Sequence, residues 1–204
     1  MAKLLLTSNG FYTESIKNQF IKLINRETSC LKVSIITTAS QQKEKNRFAQ
    51  KAKIDFEDMG FKIIDFIDIE FDNPECLEQS DVIYINGGNP FFLLFHMKRS
   101  GTDKTLKKLA LKNVVIVGVS AGAVILGPDI DIVHHFTPQL NTVILKEFKS
   151  LGLTDKVVFP HYDREDLYKD SKDMTIEARI KEFEMLKHCI VQRMSDDGFI
   201  YIKN

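Results

Sequence analysis

The chain has 204 residues, 44% hydrophobic and 27% charged, with 28 basic and 28 acidic side chains. These values are typical of a globular protein of one domain, which we expect to span residues 1–204, and the balanced charge gives no reason to expect a nucleic-acid partner. No apolar stretch approaches the ~18 residues of a membrane span. The apolar run near the N-terminus is too short for a signal peptide. We therefore expect a cytoplasmic protein without a membrane partner.

Short apolar runs alternate with amphipathic segments along the first two thirds of the chain. Strands are predicted at 4–7, 31–37, 61–67, 82–85 and 114–117. Helices are predicted at 11–24, in a segment that ends at Met59 before Gly60, at 91–98 and at 103–111. This alternation predicts an α/β fold, with a mostly parallel sheet that is covered by helices on both faces.

The last third of the chain is less regular. A further strand is predicted at 157–160 and a helix at 174–186. Two final runs, 189–193 and 199–202, flank the turn sequence Asp196-Asp197-Gly198, and we expect them to form a hairpin at a sheet edge.

The segment Gly118-Val119-Ser120-Ala121-Gly122-Ala123 follows the most strand-like run of the chain. A Gly-x-Ser-x-Gly sequence between a strand and a helix is typical of a nucleophile elbow, in which a sharp turn exposes the serine and glycines allow the backbone to double back. Ser120 is therefore the candidate nucleophile, and the amide of Ala121 is a candidate oxyanion donor. The alternative is a glycine-bearing turn in which Ser120 only caps the helix.

A second glycine-rich turn, Asn86-Gly87-Gly88-Asn89-Pro90, follows the predicted strand at 82–85. Parallel-sheet enzymes place their chemistry outside the carboxyl ends of strands, so this turn is expected to face the same crevice as Ser120. The amide of Gly88 is the second candidate oxyanion donor, and Asn89 is a candidate for substrate contact. Taken alone, a Gly-Gly-Asn-Pro sequence indicates only a turn.

His161 is the candidate general base among five histidines. It follows the predicted strand at 157–160, within Phe159-Pro160-His161-Tyr162, and so is expected at the same sheet edge as Ser120. The alternative is a loop histidine without a catalytic role.

Together, these three motifs resemble the peptidase E family of serine peptidases, grouped with aspartyl dipeptidase and cyanophycinase. The resemblance covers most of the chain and implies a fold like that of class I glutamine amidotransferases. It implies Ser120 as nucleophile, His161 as base, Gly88 and Ala121 as the oxyanion hole, and no metal or organic cofactor.

Two positions depart from the family pattern. Where aspartyl dipeptidase has an acidic residue about fifteen positions after the serine, this chain has histidines, so the acid that orients His161 is open. Our candidate is Asp131, and the alternatives are Asp129, Asp163 and Glu165.

The second departure concerns specificity. The aspartyl enzymes carry an arginine in a Thr-Arg-Glu segment that pairs with the substrate carboxylate, and the matching segment here is Thr175-Ile176-Glu177. An alkyl chain does not replace a guanidinium in such a pair, so the hydrolysis of Asp-Xaa dipeptides is not expected. Arg179, about one helical turn later, is a candidate for substrate contact, and the alternative is a solvated helix charge.

The sequence thus predicts a serine-type, dipeptidase-like enzyme that hydrolyses short peptides through an acyl-enzyme on Ser120. Two alternatives remain open. One is a small carboxylesterase of the α/β-hydrolase kind, since the order of serine, acid and histidine is permitted there. The other is a non-catalytic relative that binds a ligand or a protein, suggested by the missing acid.

Overall fold

A computed structural model of the chain describes residues 3–168 and 174–203. The strands are β1 (Lys3–Thr7), β2 (Lys32–Ile36), β3 (Ile63–Ile67), β4 (Val82–Ile85), β5 (Val115–Val119), β6 (Val157–Pro160), β7 (Val191–Met194) and β8 (Phe199–Lys203). The helices are α1 (Glu14–Ile24), α2 (Arg47–Asp58), α3 (Pro90–Ser100), α4 (Thr102–Ala110), α5 (Ala121–Leu126), α6 (Asp131–Phe136) and α7 (Ile176–Lys187).

The main sheet has six strands in the order β3-β2-β4-β5-β1-β8. The first five run parallel to one another, and β8 pairs antiparallel with β1 at one edge. A second, two-stranded sheet consists of β6 and β7, which are also parallel. The predicted fold class, a mostly parallel sheet between helices, is confirmed.

Both faces of the main sheet are buried at its four inner strands, β1, β2, β4 and β5, which explains why these strands are mostly apolar. Along β1, Leu5 points to the face that α1 and α2 cover, whereas Leu4 and Leu6 point to the face that α3, α4 and α5 cover. Alternate side chains of a strand point to opposite faces, so a strand buried on both sides needs a continuous apolar run. Among the described residues, no helix is long and apolar enough to cross a membrane.

The predicted hairpin at the end of the chain is wrong. Val191–Met194 pairs with β6 in the second sheet, whereas Phe199–Lys203 pairs with β1 in the main sheet. The turn itself exists, since the Gly198 amide donates to the carbonyl of Ser195 at 3.0 Å. The two strands diverge because β7 pairs with β6 and β8 pairs with β1, and the turn therefore connects the two sheets.

Candidate active site

Ser120 lies on a strained turn between β5 and α5. Its backbone has φ 50° and ψ −112°, a conformation that a non-glycine residue rarely adopts. The Ser120 amide donates to the carbonyl of Thr7 at 2.9 Å, which ties the turn to the end of β1. A Cβ atom at Gly122 would lie 2.2 Å from the carbonyl oxygen of Ile85, so only glycine fits where α5 packs against β4. These are the features of a nucleophile elbow.

The second glycine-rich turn lies beside the elbow because β4 and β5 are neighbours in the sheet. A Cβ atom at Gly87 would lie 3.1 Å from the Cβ atom of Ser120. Gly88 has φ 147°, and a Cβ atom there would lie 2.2 Å from the carbonyl oxygen of Ala39. That carbonyl accepts a hydrogen bond from the Asn89 amide at 2.8 Å, which fixes the turn. The expected meeting of the two turns in one crevice is observed.

The oxyanion-hole candidates, Gly88 and Ala121, both supply backbone amides beside the serine. Ala121 is the first residue of α5, and a first-turn amide has no acceptor within its own helix. The Gly88 amide donates a hydrogen bond to no backbone carbonyl of residues 3–168 and 174–203. Both amides are therefore available to a negative oxygen that forms on a bound substrate.

His161 faces Ser120 from the end of β6. Its Nε2 atom lies 3.0 Å from Ser120 Oγ, and its backbone has a left-handed φ of 58°. The His161 amide donates to Ser8 Oγ at 3.1 Å, and the Ser8 hydroxyl donates to the carbonyl of Met194 at 2.9 Å. Ser8 follows β1 of the main sheet, so its buried hydroxyl joins the histidine and the end of β7 to the sheet that carries the serine.

Asp196 completes a hydrogen-bonded chain of three side chains. Its Oδ1 atom lies 2.5 Å from His161 Nδ1, on the side of the ring opposite Ser120. Its Oδ2 atom accepts from Arg164 at 3.3 Å, and its amide donates to the carboxylate of Asp163 at 3.0 Å. Only 13% of the Asp196 side chain and 18% of the His161 side chain are exposed, so little water competes for these contacts.

The acid candidates from the sequence do not occupy this position. Asp131, the first choice, lies at the start of α6, where its carboxylate binds the ammonium of Lys187. Asp129 accepts from the amide of Asp131 at 3.0 Å, and Glu165 accepts from the amide of Ile176 at 3.0 Å. Asp131 is therefore not the carboxylate that contacts His161 in the structure. Asp163, the remaining alternative, accepts a hydrogen bond from the backbone amide of Asp196 with its side-chain carboxylate, and no hydrogen bond joins it to the His161 ring among the described residues.

The sequence shows the turn that contains Asp196, but it does not show that the strands on either side of this turn belong to different sheets. The predicted hairpin at a sheet edge gives no reason to expect the Asp196-Asp197-Gly198 turn beside His161. Asp196 follows β7, which runs parallel to β6, and His161 follows β6. Reading 191–194 as a parallel partner of 157–160 would have placed the carboxylate and the imidazole at the same edge.

The two predicted substrate contacts have structural partners instead. Asn89 caps α3, with its side-chain oxygen accepting from the Phe91 amide at 2.9 Å and its Nδ2 atom donating to the carbonyl of Leu140 at 2.7 Å. Arg179 is 8% exposed, so it is not a solvated charge either. Its guanidinium donates to the carbonyls of Phe136 and Tyr168, each at 3.0 Å. Neither residue is among the described residues that line the cavities beside Ser120.

Two cavities meet at Ser120. The larger, which we call the wide cleft, has a volume of about 420 Å³ and contains His161, with Lys51, Asp55 and Tyr84 among its other lining residues. The second, which we call the small pocket, has a volume of about 90 Å³. Gly88 and Ser120 line both. Within the described part of the chain, no cluster of three or more His, Cys, Asp or Glu side chains offers a metal site.

Comparison with known proteins shows the family to which the chain belongs. The sequence profile of peptidase family S51 matches residues 4–204. The chain belongs to peptidase family S51. An uncharacterized peptidase of Listeria monocytogenes is 32% identical over 162 residues, which cover 76% of this chain and 78% of the relative. Peptidase E of Streptomyces coelicolor is 31% identical over 107 residues, which cover 52% of this chain and 42% of the relative.

Solved structures give the same result for the fold. A crystal structure from Listeria monocytogenes, provisionally named a peptidase E protein, superposes with a TM-score of 0.77 at 26% identity and covers 99% of this chain and 94% of its own. A peptidase from an acI-B1 actinobacterium superposes with a TM-score of 0.62 at 20% identity, covers 85% of this chain and 73% of its own, and shares the fold. Members of family S51 are serine peptidases, so the predicted family and enzyme class are confirmed.

Proposed function

We propose that this S51 peptidase hydrolyses short peptides through an acyl-enzyme on Ser120. The observation that carries the proposal is the hydrogen-bonded chain from Ser120 through His161 to Asp196. The three residues lie beyond the carboxyl ends of β5, β6 and β7. A serine hydroxyl becomes a useful nucleophile when a base accepts its proton and an acid fixes the tautomer of that base. The distances of 3.0 Å and 2.5 Å fit both requirements.

In the acylation half-reaction, His161 Nε2 takes the proton from Ser120 Oγ as the oxygen attacks the scissile carbonyl carbon. The negative charge that develops on the carbonyl oxygen is stabilised by the amides of Gly88 and Ala121. As the tetrahedral intermediate collapses, the C–N bond breaks and His161 gives the same proton to the leaving amine. Asp196 remains ionised and stabilises the imidazolium while it exists.

In the deacylation half-reaction, a water molecule enters from the wide cleft and gives a proton to His161 Nε2. Its oxygen attacks the ester carbonyl, and the same two amides stabilise the second oxyanion. Collapse of this intermediate breaks the C–O bond to Ser120, which recovers its proton from His161. The reaction needs no metal ion or organic cofactor in this scheme, and the residues return to their starting protonation states.

The non-catalytic alternative was based on the missing acid at the position where this chain has His134 and His135, about fifteen residues after Ser120, and this geometry removes that reason. Asp196 supplies the carboxylate from a different part of the chain. Nothing in the geometry favours the carboxylesterase alternative, and the relatives are named peptidases. A proposed preference for short peptides fits a cleft of about 420 Å³, which holds a few residues of substrate.

The first experiment is labelling of the purified protein by a fluorophosphonate probe, with intact-mass detection. We expect one adduct on the wild type, none on Ser120→Ala, and strongly slowed labelling of His161→Ala. A panel of dipeptides then tests for release of free amine. A folded wild type that neither reacts with the probe nor cleaves any peptide would refute the proposal.

A further inference from the structure

The small pocket opens beside Ser120 on a different side from His161. It is lined by Gly88, Pro90, Ser120, Ala121, Val124, Ile132, Val133, Phe136, Thr137, Leu140, Phe159, Pro160 and Tyr168. His161 is among the described residues that line the wide cleft and is not among those that line the small pocket. Both oxyanion-hole residues line the small pocket, so it is next to the position of the reacting carbonyl.

This arrangement determines which part of a peptide each cavity receives. The leaving amine takes its proton from His161 Nε2 and must therefore lie within hydrogen-bond reach of that atom, in the wide cleft. The acyl residue is attached to the opposite side of the scissile carbonyl carbon. With the carbonyl oxygen held by the amides of Gly88 and Ala121, the side chain of the acyl residue points towards the small pocket.

The described residues that line the small pocket are mostly apolar. None of the described lining residues carries a charged side chain, and the Thr137 hydroxyl donates to the carbonyl of Val133 at 3.1 Å. Burial raises the pKa of Tyr168 to about 12, so its phenol stays neutral at physiological pH. A carboxylate or ammonium placed here would lose its hydration without gaining an opposite charge from these walls.

The nearby arginine reinforces the wall and does not enter the pocket. The Arg179 guanidinium carbon lies 4.0 Å from the centre of the Phe136 ring, and its nitrogens donate to the carbonyls of Phe136 and Tyr168. Those two residues are among the described residues that line the pocket, whereas Arg179 is not. Ile176, which stands at the position of the family's arginine, is fully buried, and its alkyl side chain offers no polar group to a substrate.

We propose that the small pocket binds the side chain of the acyl residue and selects a medium-sized aliphatic group such as that of valine, leucine or methionine. The inference rests on the proposed function. A volume of about 90 Å³ is smaller than the ~150 Å³ cavity that accommodates benzene, so an aromatic side chain is too large. The enzyme is thus a peptidase for apolar acyl residues, and acidic substrates are excluded by desolvation.

The test uses the purified full chain and peptides of the form Xaa-Ala, each with a free and an acetylated N-terminus, where Xaa is Leu, Val, Ala, Phe, Asp or Lys. We expect kcat/KM for Leu to exceed that for Ala by about tenfold or more, as each buried methylene adds to binding. We expect kcat/KM for Asp and Lys to fall below that for Leu by about a hundredfold or more, because their charges are unpaired. Fluorophosphonate labelling is measured on the same sample.

Leu140→Arg places a cation at the exposed rim of the pocket, and Leu111→Arg is the matched control, since Leu111 is exposed and lines neither cavity among the described residues. We expect only Leu140→Arg to lower the ratio of Leu to Asp cleavage, by about tenfold or more. Val133→Phe provides an independent test by narrowing the pocket, and should reduce cleavage after Leu while preserving cleavage after Ala.

The outcomes separate this inference from the proposed function. A wild type that is labelled but prefers Asp, Lys or Phe, or cleaves no apolar member of the panel, overturns the pocket assignment and leaves Ser120 as nucleophile. The pocket assignment is also overturned if Leu140→Arg and Leu111→Arg change the ratio of Leu to Asp cleavage equally and Val133→Phe does not reduce cleavage after Leu. Absence of both labelling and cleavage refutes the proposed function itself.

Discussion

The two sheets of the molecule contribute to the site in different ways. The main sheet supplies the Ser120 hydroxyl and two backbone amides: tight turns after β4 and β5 present the amides of Gly88 and Ala121 and the strained residue Ser120. The two-stranded sheet supplies the imidazole and the carboxylate, with His161 after β6 and Asp196 after β7. The main-sheet groups are specified by local sequence, whereas the second pair depends on contacts between distant segments.

The difference follows from how each part is stabilised. A turn between a buried strand and a helix is restricted by sterics within a few residues, and glycine positions reveal those restrictions. The pairing of β6 with β7 joins segments more than thirty residues apart, and Ser8 then connects both to the main sheet. The side chains of the second sheet can therefore be altered with little effect on the elbow.

The largest effect is expected for Asp196→Asn. The amide keeps the size of the carboxylate but favours the wrong tautomer of His161, so kcat should fall by about 10⁴-fold. The measurement is peptide hydrolysis, with circular dichroism to show that the fold is retained.

Asp131→Asn is the matched control for Asp196→Asn. Its carboxylate binds Lys187 at the start of α6, so we expect activity close to that of the wild type. Wild-type activity in Asp196→Asn would show that Asp196 is not the acid that orients His161. A large loss of activity in Asp131→Asn would return that role to Asp131.

Most of the fold and half of the site could be predicted from the sequence. The strands at 82–85 and 157–160 match the structure to the residue, and the elbow and histidine lie where the strand ends predict. Asp196 was missed because a Gly-containing turn between two apolar runs is typical of a hairpin, and sequence alone does not show that the runs join different sheets. Burial of Arg179 was missed because its partners are the carbonyls of Phe136 and Tyr168, which no side-chain pattern reveals.

Gly88→Ala should have the next largest effect, on the main-sheet side of the comparison. A methyl group would lie 2.2 Å from the carbonyl oxygen of Ala39, so the turn must move and the oxyanion donor with it. Loss of one such donor reduces kcat by about 10²- to 10³-fold. Gly101→Ala is the control, because Gly101 also has positive φ, 82°, but a Cβ atom there meets nothing within 4 Å. Equal activity loss in both variants would assign the effect to backbone strain alone.

Ser8→Ala tests the connection between the two sheets. Without the hydroxyl, the amide of His161 and the carbonyl of Met194 lose a shared partner, and the imidazole is no longer fixed relative to Ser120. We expect kcat to fall by roughly tenfold with little change in KM. The matched control is Ser34→Ala, which removes a buried 2.7 Å hydrogen bond to Ser80 far from the site. If kcat is equal in the two variants, Ser8 does not position the base.

Glu184→Gln should have the smallest effect, on stability and not on catalysis. The carboxylate of Glu184 binds the Arg193 guanidinium and so joins α7 to β7, and this arginine holds the pKa of Glu184 below its usual value. Because the pKa of Glu184 is lower in the folded protein than in the unfolded chain, its ionised carboxylate stabilises the fold at pH values above the unfolded pKa near 4.5. This stabilisation is lost as the pH falls from that value through the lower pKa of the folded state. At pH 7 we expect a melting temperature about 2–4 °C below that of the wild type, and a smaller difference at pH 3.5. Glu182→Gln, on the same helix, should melt like the wild type. A difference that grows on acidification would show that this ion pair does not stabilise the second sheet.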